Sequence, residues 1–153
     1  MFVIGLLAGF VISLVLLFFA LRRVMFLENE SNYGFEETNA GIEKQAAEMK
    51  WGIPSQYDLQ ATLKKNGFEV LPVRVFSLCK PSVAHKILGT NRERIASALM
   101  PCRVSVYERN DGKVYVSRLN AALFSRFLGK QIREAMKEAA VENERILEPL
   151  IRN

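Results

Sequence analysis

The first 21 residues contain no ionisable side chain, and fifteen of them are Leu, Ile, Val or Phe. At 1.5 Å per residue this run makes about 31 Å of helix, close to the roughly 30 Å hydrocarbon core of a bilayer. The sequence therefore predicts a transmembrane anchor over residues 1–23. A cleavable signal peptide would need a basic start, a shorter apolar stretch and small residues before the cut. Here the start is uncharged and Phe18 stands where Ala is expected. Arg22 and Arg23 follow the run, and the positive-inside rule then places the N-terminus outside and the remainder in the cytoplasm. The expectation is a single-pass protein of the cell membrane with the lipid bilayer as its first partner. Gly5, Gly9 and Ser13 recur every fourth residue. That spacing lets transmembrane backbones approach and admits self-association, although it also arises by chance in apolar helices.

All 21 Lys and Arg and all 16 Asp and Glu lie after this segment, so the net charge of +5 belongs to the remainder. Residues 22–50 carry four bases against six acids, and residues 51–153 carry seventeen against ten. About 130 residues suffice for one domain with one core. The reading is an acidic tether over 24–35 and a basic domain over 36–153. A basic domain near a membrane suits anionic headgroups. Nucleic acid is not expected, because no helix carries a continuous Lys/Arg stripe.

Within the domain, Glu36 and Glu37 suit the first turn of a helix with Ile42, Ala46 and Met49 on one face, ended by Trp51-Gly52-Ile53-Pro54. Ser55 to Asp58 reads as a capping box for a second helix through Leu63 to Lys65. Val70 to Leu78 is apolar without alternation, which predicts a strand buried on both faces. Pro81 opens a helix that closes at Gly89, and a further turn or two runs from Asn91 to Leu99. Cys102 to Glu108 and Lys113 to Arg118 form a hairpin through Asn110-Asp111-Gly112, with Val104, Val106, Val114 and Val116 facing the core. Leu123, Phe127, Leu128, Ile132, Ala135, Met136, Ala139 and Ile146 lay an apolar stripe along one or two C-terminal helices, with Gly129 as a break. The fold class expected is α+β: one transmembrane helix, then a compact mixed sheet with a β-hairpin, packed by helices that include a long C-terminal region.

The runs Cys79-Lys80-Pro81-Ser82-Val83-Ala84-His85, Met100-Pro101-Cys102-Arg103-Val104 and Asp111-Gly112-Lys113-Val114-Tyr115 resemble the domain-of-unknown-function 302 family in order and spacing. The resemblance covers about residues 31–153. It implies a compact α+β domain able to pair as a homodimer, and a family whose biochemical role is unassigned. The family's Cys-x-Pro and Pro-Cys-Arg motifs correspond to Cys79, Pro81, Pro101, Cys102 and Arg103. The N-terminal anchor is not part of the family's domain.

Chemistry rests on two residues. Cys79 ends a strand before a helix N-terminus, and Cys102 opens the hairpin. Arg74, Lys80, Lys86 and Arg103 are near in sequence, and positive surroundings lower a thiol pKa. If the two cysteines share one edge of the sheet, they form a dithiol able to cycle with a disulfide, accept sulfur or bind a soft metal. If the helix between them makes a parallel crossover, a strand length of roughly 17 Å separates them. Against both stands the common role of Cys as a small buried hydrophobe. His85 is the only histidine, so one chain holds no His-based metal cluster and no Ser-His-Asp triad. No metal site and no cofactor are expected. Two functions remain: a membrane-anchored, non-catalytic binding or assembly module, such as an accessory subunit of a larger membrane complex, or a thiol protein of sulfur transfer or redox chemistry acting through Cys79 and Cys102.

Overall fold

The structure, a computed structural model, describes residues 2–152; inside the first helix, side chains are described for residues 9–20, 24 and 25. Helix α1 runs Phe2–Met25 and leads directly into strand β1, Phe26–Glu30. There follow α2 (Phe35–Glu48), β2 (Gly52–Asp58), α3 (Leu59–Lys65), β3 (Val73–Cys79), α4 (Pro81–Leu88) and a 3₁₀ segment at Glu93–Leu99. The hairpin β4 (Cys102–Glu108) and β5 (Val114–Leu119), the short α5 (Ala121–Phe124), a 3₁₀ turn at Ser125–Phe127 and the long α6 (Lys130–Leu147) complete the chain.

The five strands form one sheet in the order β1-β5-β4-β3-β2. Every pairing is antiparallel, so the mixed sheet expected from sequence is corrected. The α+β class itself holds. Strand pleating sends Phe76, Leu78, Val104, Val106, Val114 and Val116 into the core beside Ile42 and Ala46 of α2, Val83 and Ile87 of α4, and Ile132, Ala135, Met136 and Ile146 of α6. Phe76, Ser77 and Leu78 are buried in succession, as an unalternating strand predicts, but the strand begins only at Val73, its first three residues are half-buried, and Val70 and Leu71 of the expected run are exposed. The opposite face is polar and aromatic. There the Tyr107 and Tyr115 rings stack at 6.1 Å, Arg109 lies 4.0 Å above Tyr115, and Arg103 lies 5.6 Å from the Tyr57 ring.

The N-terminal expectation is corrected. Among the described residues, no helix is long and apolar enough to cross a membrane. The single-pass anchor therefore falls, and with it the outside N-terminus and the cytoplasmic placement of the domain. In α1 Phe10, Leu16 and Phe18 stand exposed. Of the proposed packing face, Gly5 lies outside the described side chains, Gly9 has nothing within 4 Å of a built Cβ, and Ser13 is exposed.

The acidic segment read as a tether is strand β1. It holds an edge of the sheet by pairing with β5, from Phe26 opposite Leu119 to Glu30 opposite Tyr115. Its acids answer the basic strands: Glu28 meets Arg109 at 2.5 Å and Tyr107, while Glu30 meets Lys113 at 2.8 Å and Arg152 at 2.6 Å. The charge asymmetry of the sequence is thus partly cancelled inside the fold. The segment Gly52–Asp58, expected as a helix end and a capping box, is edge strand β2. Asp58 is itself the N-cap of α3, and its Oδ1 accepts from the Ala61 amide at 2.7 Å. Gly129 breaks the C-terminal helices as expected, but Phe127 points away from the core at 83 % exposure.

Candidate functional site

Antiparallel pairing of β3 with β4 sets Leu78 directly opposite Cys102, so Cys79, the next residue, closes β3 beside Cys102. Both cysteines are free and half-buried. Lys80 is in extended conformation and Pro81 starts α4, which turns the chain over the helix-covered side of the sheet. Both cysteines line a small cavity of about 40 Å³ roofed by α4, α6 and the 3₁₀ segment, together with Trp51, Met100 and Met136. Cys102 also borders a larger cleft of about 490 Å³, which opens between the ends of β4 and β5, α5 and α6.

The cleft is mostly apolar with a few placed polar groups. Asn143 of α6 lines it, is 6 % exposed, and its Oδ1 has no hydrogen-bond partner. Arg118 of β5 is buried and held by Glu144, Nε to Oε1 at 2.9 Å and Nη2 to Oε2 at 2.5 Å, and by Asn29 Oδ1 at 2.7 Å from Nη1. Burial pushes the Cys102 thiol up; the neighbouring Asn143 side chain acts the other way, and nearby Cys79 adds to the rise. Cys102 is therefore a protonated, weakly nucleophilic thiol at neutral pH.

The electropositive surround expected for the thiols is dispersed. Arg74 stands near the far end of β3, about 17 Å along the strand from Cys79. It bonds Glu36 at 3.1 Å and lies 3.7 Å from Asp58. Lys80 alone is close, lining the small cavity, but its Nζ is bound to Glu142 at 2.6 Å. Lys86 pairs with Glu138, and Arg103 is exposed on the open sheet face over Tyr57. His85 is exposed on α4. Among the described residues, no group of three or more His, Cys, Asp or Glu side chains is placed to hold a metal ion.

Sequence reasoning named Lys80 but missed Asn143, Met100, Met136, Trp51 and Glu142 as site residues. The signal for Asn143 was present. It falls on the apolar stripe of α6, four residues after Ala139 and three before Ile146, where a polar side chain must be buried.

The family model of the domain of unknown function DUF302 matches residues 27–151. The chain belongs to the DUF302 family. A similar solved fold is the crystal structure of uncharacterized conserved protein DUF302 from Bacillus stearothermophilus, with a TM-score of 0.72 at 17 % identity, covering 81 % of this chain and 96 % of that one. At that identity the likeness speaks for the fold alone. No curated protein matches. The DUF302 match begins inside β1, consistent with a sheet that needs β1 as its edge.

Proposed function

We propose that this DUF302 chain is a non-catalytic binding module whose cleft between the sheet end and α6 takes a small, mostly apolar ligand bearing one hydrogen-bond donor. The observation that carries the reading is the unpartnered Oδ1 of buried Asn143 on the wall of a 490 Å³ cleft. Ligand pockets commonly span about 300–1,000 Å³ with few, specific polar groups. A buried acceptor without a partner costs about 1–3 kcal/mol, which a ligand N–H or O–H recovers on binding. Acid–base catalysis finds little support among these residues. The Cys102 thiol is held protonated, the Glu144 carboxylate is clamped by Arg118, and His85 sits on the exposed side of α4.

The test uses 8-anilinonaphthalene-1-sulfonate, an apolar anion with one N–H, and reads its fluorescence on titration into the full chain. Saturable binding that is lost in Ala140→Phe, which fills the cleft wall, and weakened in Asn143→Leu supports the reading. Equal binding by Ala140→Phe and wild type would place the probe on exposed apolar surface such as α1 and overturn it.

A second reading, thiol-based sulfur transfer or redox chemistry, is favoured by one observation: antiparallel β3 and β4 put Cys79 next to the Leu78–Cys102 pair instead of a strand length away. Replacing each Cys by Ser tests it, with reaction of the reduced protein toward a low-molecular-weight disulfide as the readout. Unchanged consumption of that disulfide in both variants removes it.

A further inference from the structure

We propose that the small cavity at the ends of β3 and β4 is a binding site for a soft monovalent metal ion of the copper(I) class, held by the thiols of Cys79 and Cys102 and the thioethers of Met100 and Met136. This goes beyond the ligand reading of the cleft and does not rest on it. All four sulfur residues line the one cavity. The chain has only two Cys and five Met, so both cysteines and two of the methionines share the lining of a single cavity. Met and Cys do fill ordinary cores, and clustering alone would not carry the argument.

The remaining lining decides it. The only other polar side chains there are Trp51 and Lys80, and both donate to Oε2 of Glu142, at 2.7 and 2.6 Å. An indole N–H and an ammonium have no lone pair to offer a metal. Among the side chains that line this cavity, only the four sulfur residues therefore have a free lone pair to offer. Its volume, about 40 Å³, suits an ion and excludes an organic substrate. Hard ions such as magnesium and calcium require oxygen ligands, and zinc takes thiolate, imidazole or carboxylate. The two thiolates alone would suit zinc as well; the two thioethers, which are not among zinc's ligands, favour copper(I).

Loading is an exchange without electron transfer. One copper(I) ion binds, sulfur–hydrogen bonds at Cys79 and Cys102 give way to sulfur–metal bonds, and two protons leave to solvent. The product carries one net negative charge, beside the Lys80 ammonium that Glu142 also pairs. Because both thiols must give up their protons to bind the ion, affinity falls as pH falls.

Anaerobic titration of the reduced full chain with copper(I) supplied as its bicinchoninate complex tests the proposal. The expected result is withdrawal of about one equivalent from the competitor, with sulfur-to-copper absorption in the near ultraviolet and about tenfold or greater loss of affinity in both Cys102→Ser and Met136→Leu. Met136→Leu conserves volume, so its fold is checked by thermal melting. Should that variant melt too low, X-ray absorption on the copper-loaded wild type replaces it: roughly three or four sulfur neighbours support the site, and two or fewer overturn it. Failure of the wild type to compete with bicinchoninate overturns it, as does wild-type affinity in a folded Met136→Leu protein.

Discussion

Across 91 positions of sequence, the indole N–H of Trp51 donates to Oε2 of Glu142 at 2.7 Å. The same oxygen accepts from Lys80 Nζ at 2.6 Å, so one carboxylate of α6 ties together the residue before β2 and the residue before α4. The contact with Lys80 is the main cause that holds the Glu142 carboxyl below its ordinary value; burial opposes it, and Trp51 adds to the lowering.

Glu142→Ala leaves a buried indole N–H and a half-buried ammonium without their acceptor. Loss of about 2 kcal/mol is expected, measurable by urea denaturation followed on Trp51, the single tryptophan. The pH dependence follows from the lowered pKa. Because the folded value lies below the unfolded one, the carboxylate's contribution is present above the ordinary glutamate value of 4.5 and is lost as pH falls through the depressed folded value. Glu142→Gln should flatten the acid limb of the stability profile relative to wild type. An unchanged acid limb would mean that the ion pair contributes nothing in solution.

Gly41 of α2 faces Leu150, whose Cδ2 lies 2.5 Å from a Cβ built at Gly41. Alanine in a helix interior is favoured over glycine by about 1 kcal/mol, while overpacking a core costs about 1–3 kcal/mol. Leu150 decides the sign: it is 6 % exposed within the core, so its side chain can rotate only against packed neighbours, and its backbone is pinned. Its N–H donates to the Leu147 carbonyl at 2.8 Å, and its own carbonyl accepts from the Asn32 amide at 2.9 Å and the Ser31 hydroxyl at 3.1 Å. Gly41→Ala should therefore destabilise by about 1 kcal/mol. In a double-mutant cycle, Leu150→Val should cost less in the Gly41→Ala background than alone. Additive costs would show that the two side chains do not meet.

Asn39 of α2 is 2 % exposed, and neither its Oδ1 nor its Nδ2 has a partner. Leucine has nearly the same shape and removes both unsatisfied groups. Asn39→Leu should stabilise the fold by about 1 kcal/mol and raise the melting temperature by a few degrees. A fall instead would show that the amide is satisfied in solution by a group such as a buried water.

Much of this fold could be read from local chemistry. The hairpin was legible because Asn110-Asp111-Gly112 supplies a turn in which Gly112 adopts φ +74°, and the four valines alternate with polar residues on either side. Helix α4 was legible from Pro81 at its start and Gly89 at its end. The two edge strands were not. β1 reads as Phe-Leu-Glu-Asn-Glu, and β2 contains Gly52 and Pro54, so each resembles a loop until β5 and β3 supply its partner. Tertiary pairing overrode weak local preference there. The nearness of Cys79 and Cys102 depended on whether β3 and β4 run parallel or antiparallel, which no residue between them reveals.

Cys102 makes the last prediction, because its environment sets both its reactivity and part of the stability profile. Burial is the largest influence and raises its pKa, with Asn143 opposing and Cys79 assisting. In a Cys79→Ser protein, where Cys102 is the single thiol, alkylation by iodoacetamide at pH 8 should run about tenfold or more slower than that of a free cysteine, since the thiolate is the attacking form. The rate should climb only above the ordinary thiol range. Because the folded pKa lies above the unfolded one, the associated stability is present below the unfolded value and drains as pH rises toward the folded one. Cys102→Ala should remove that alkaline slope, read by denaturation between about pH 7 and pH 10. A reaction as fast as free cysteine's would mean that the thiol reaches solvent readily, and the protonated thiol in the cavity wall would have to be abandoned.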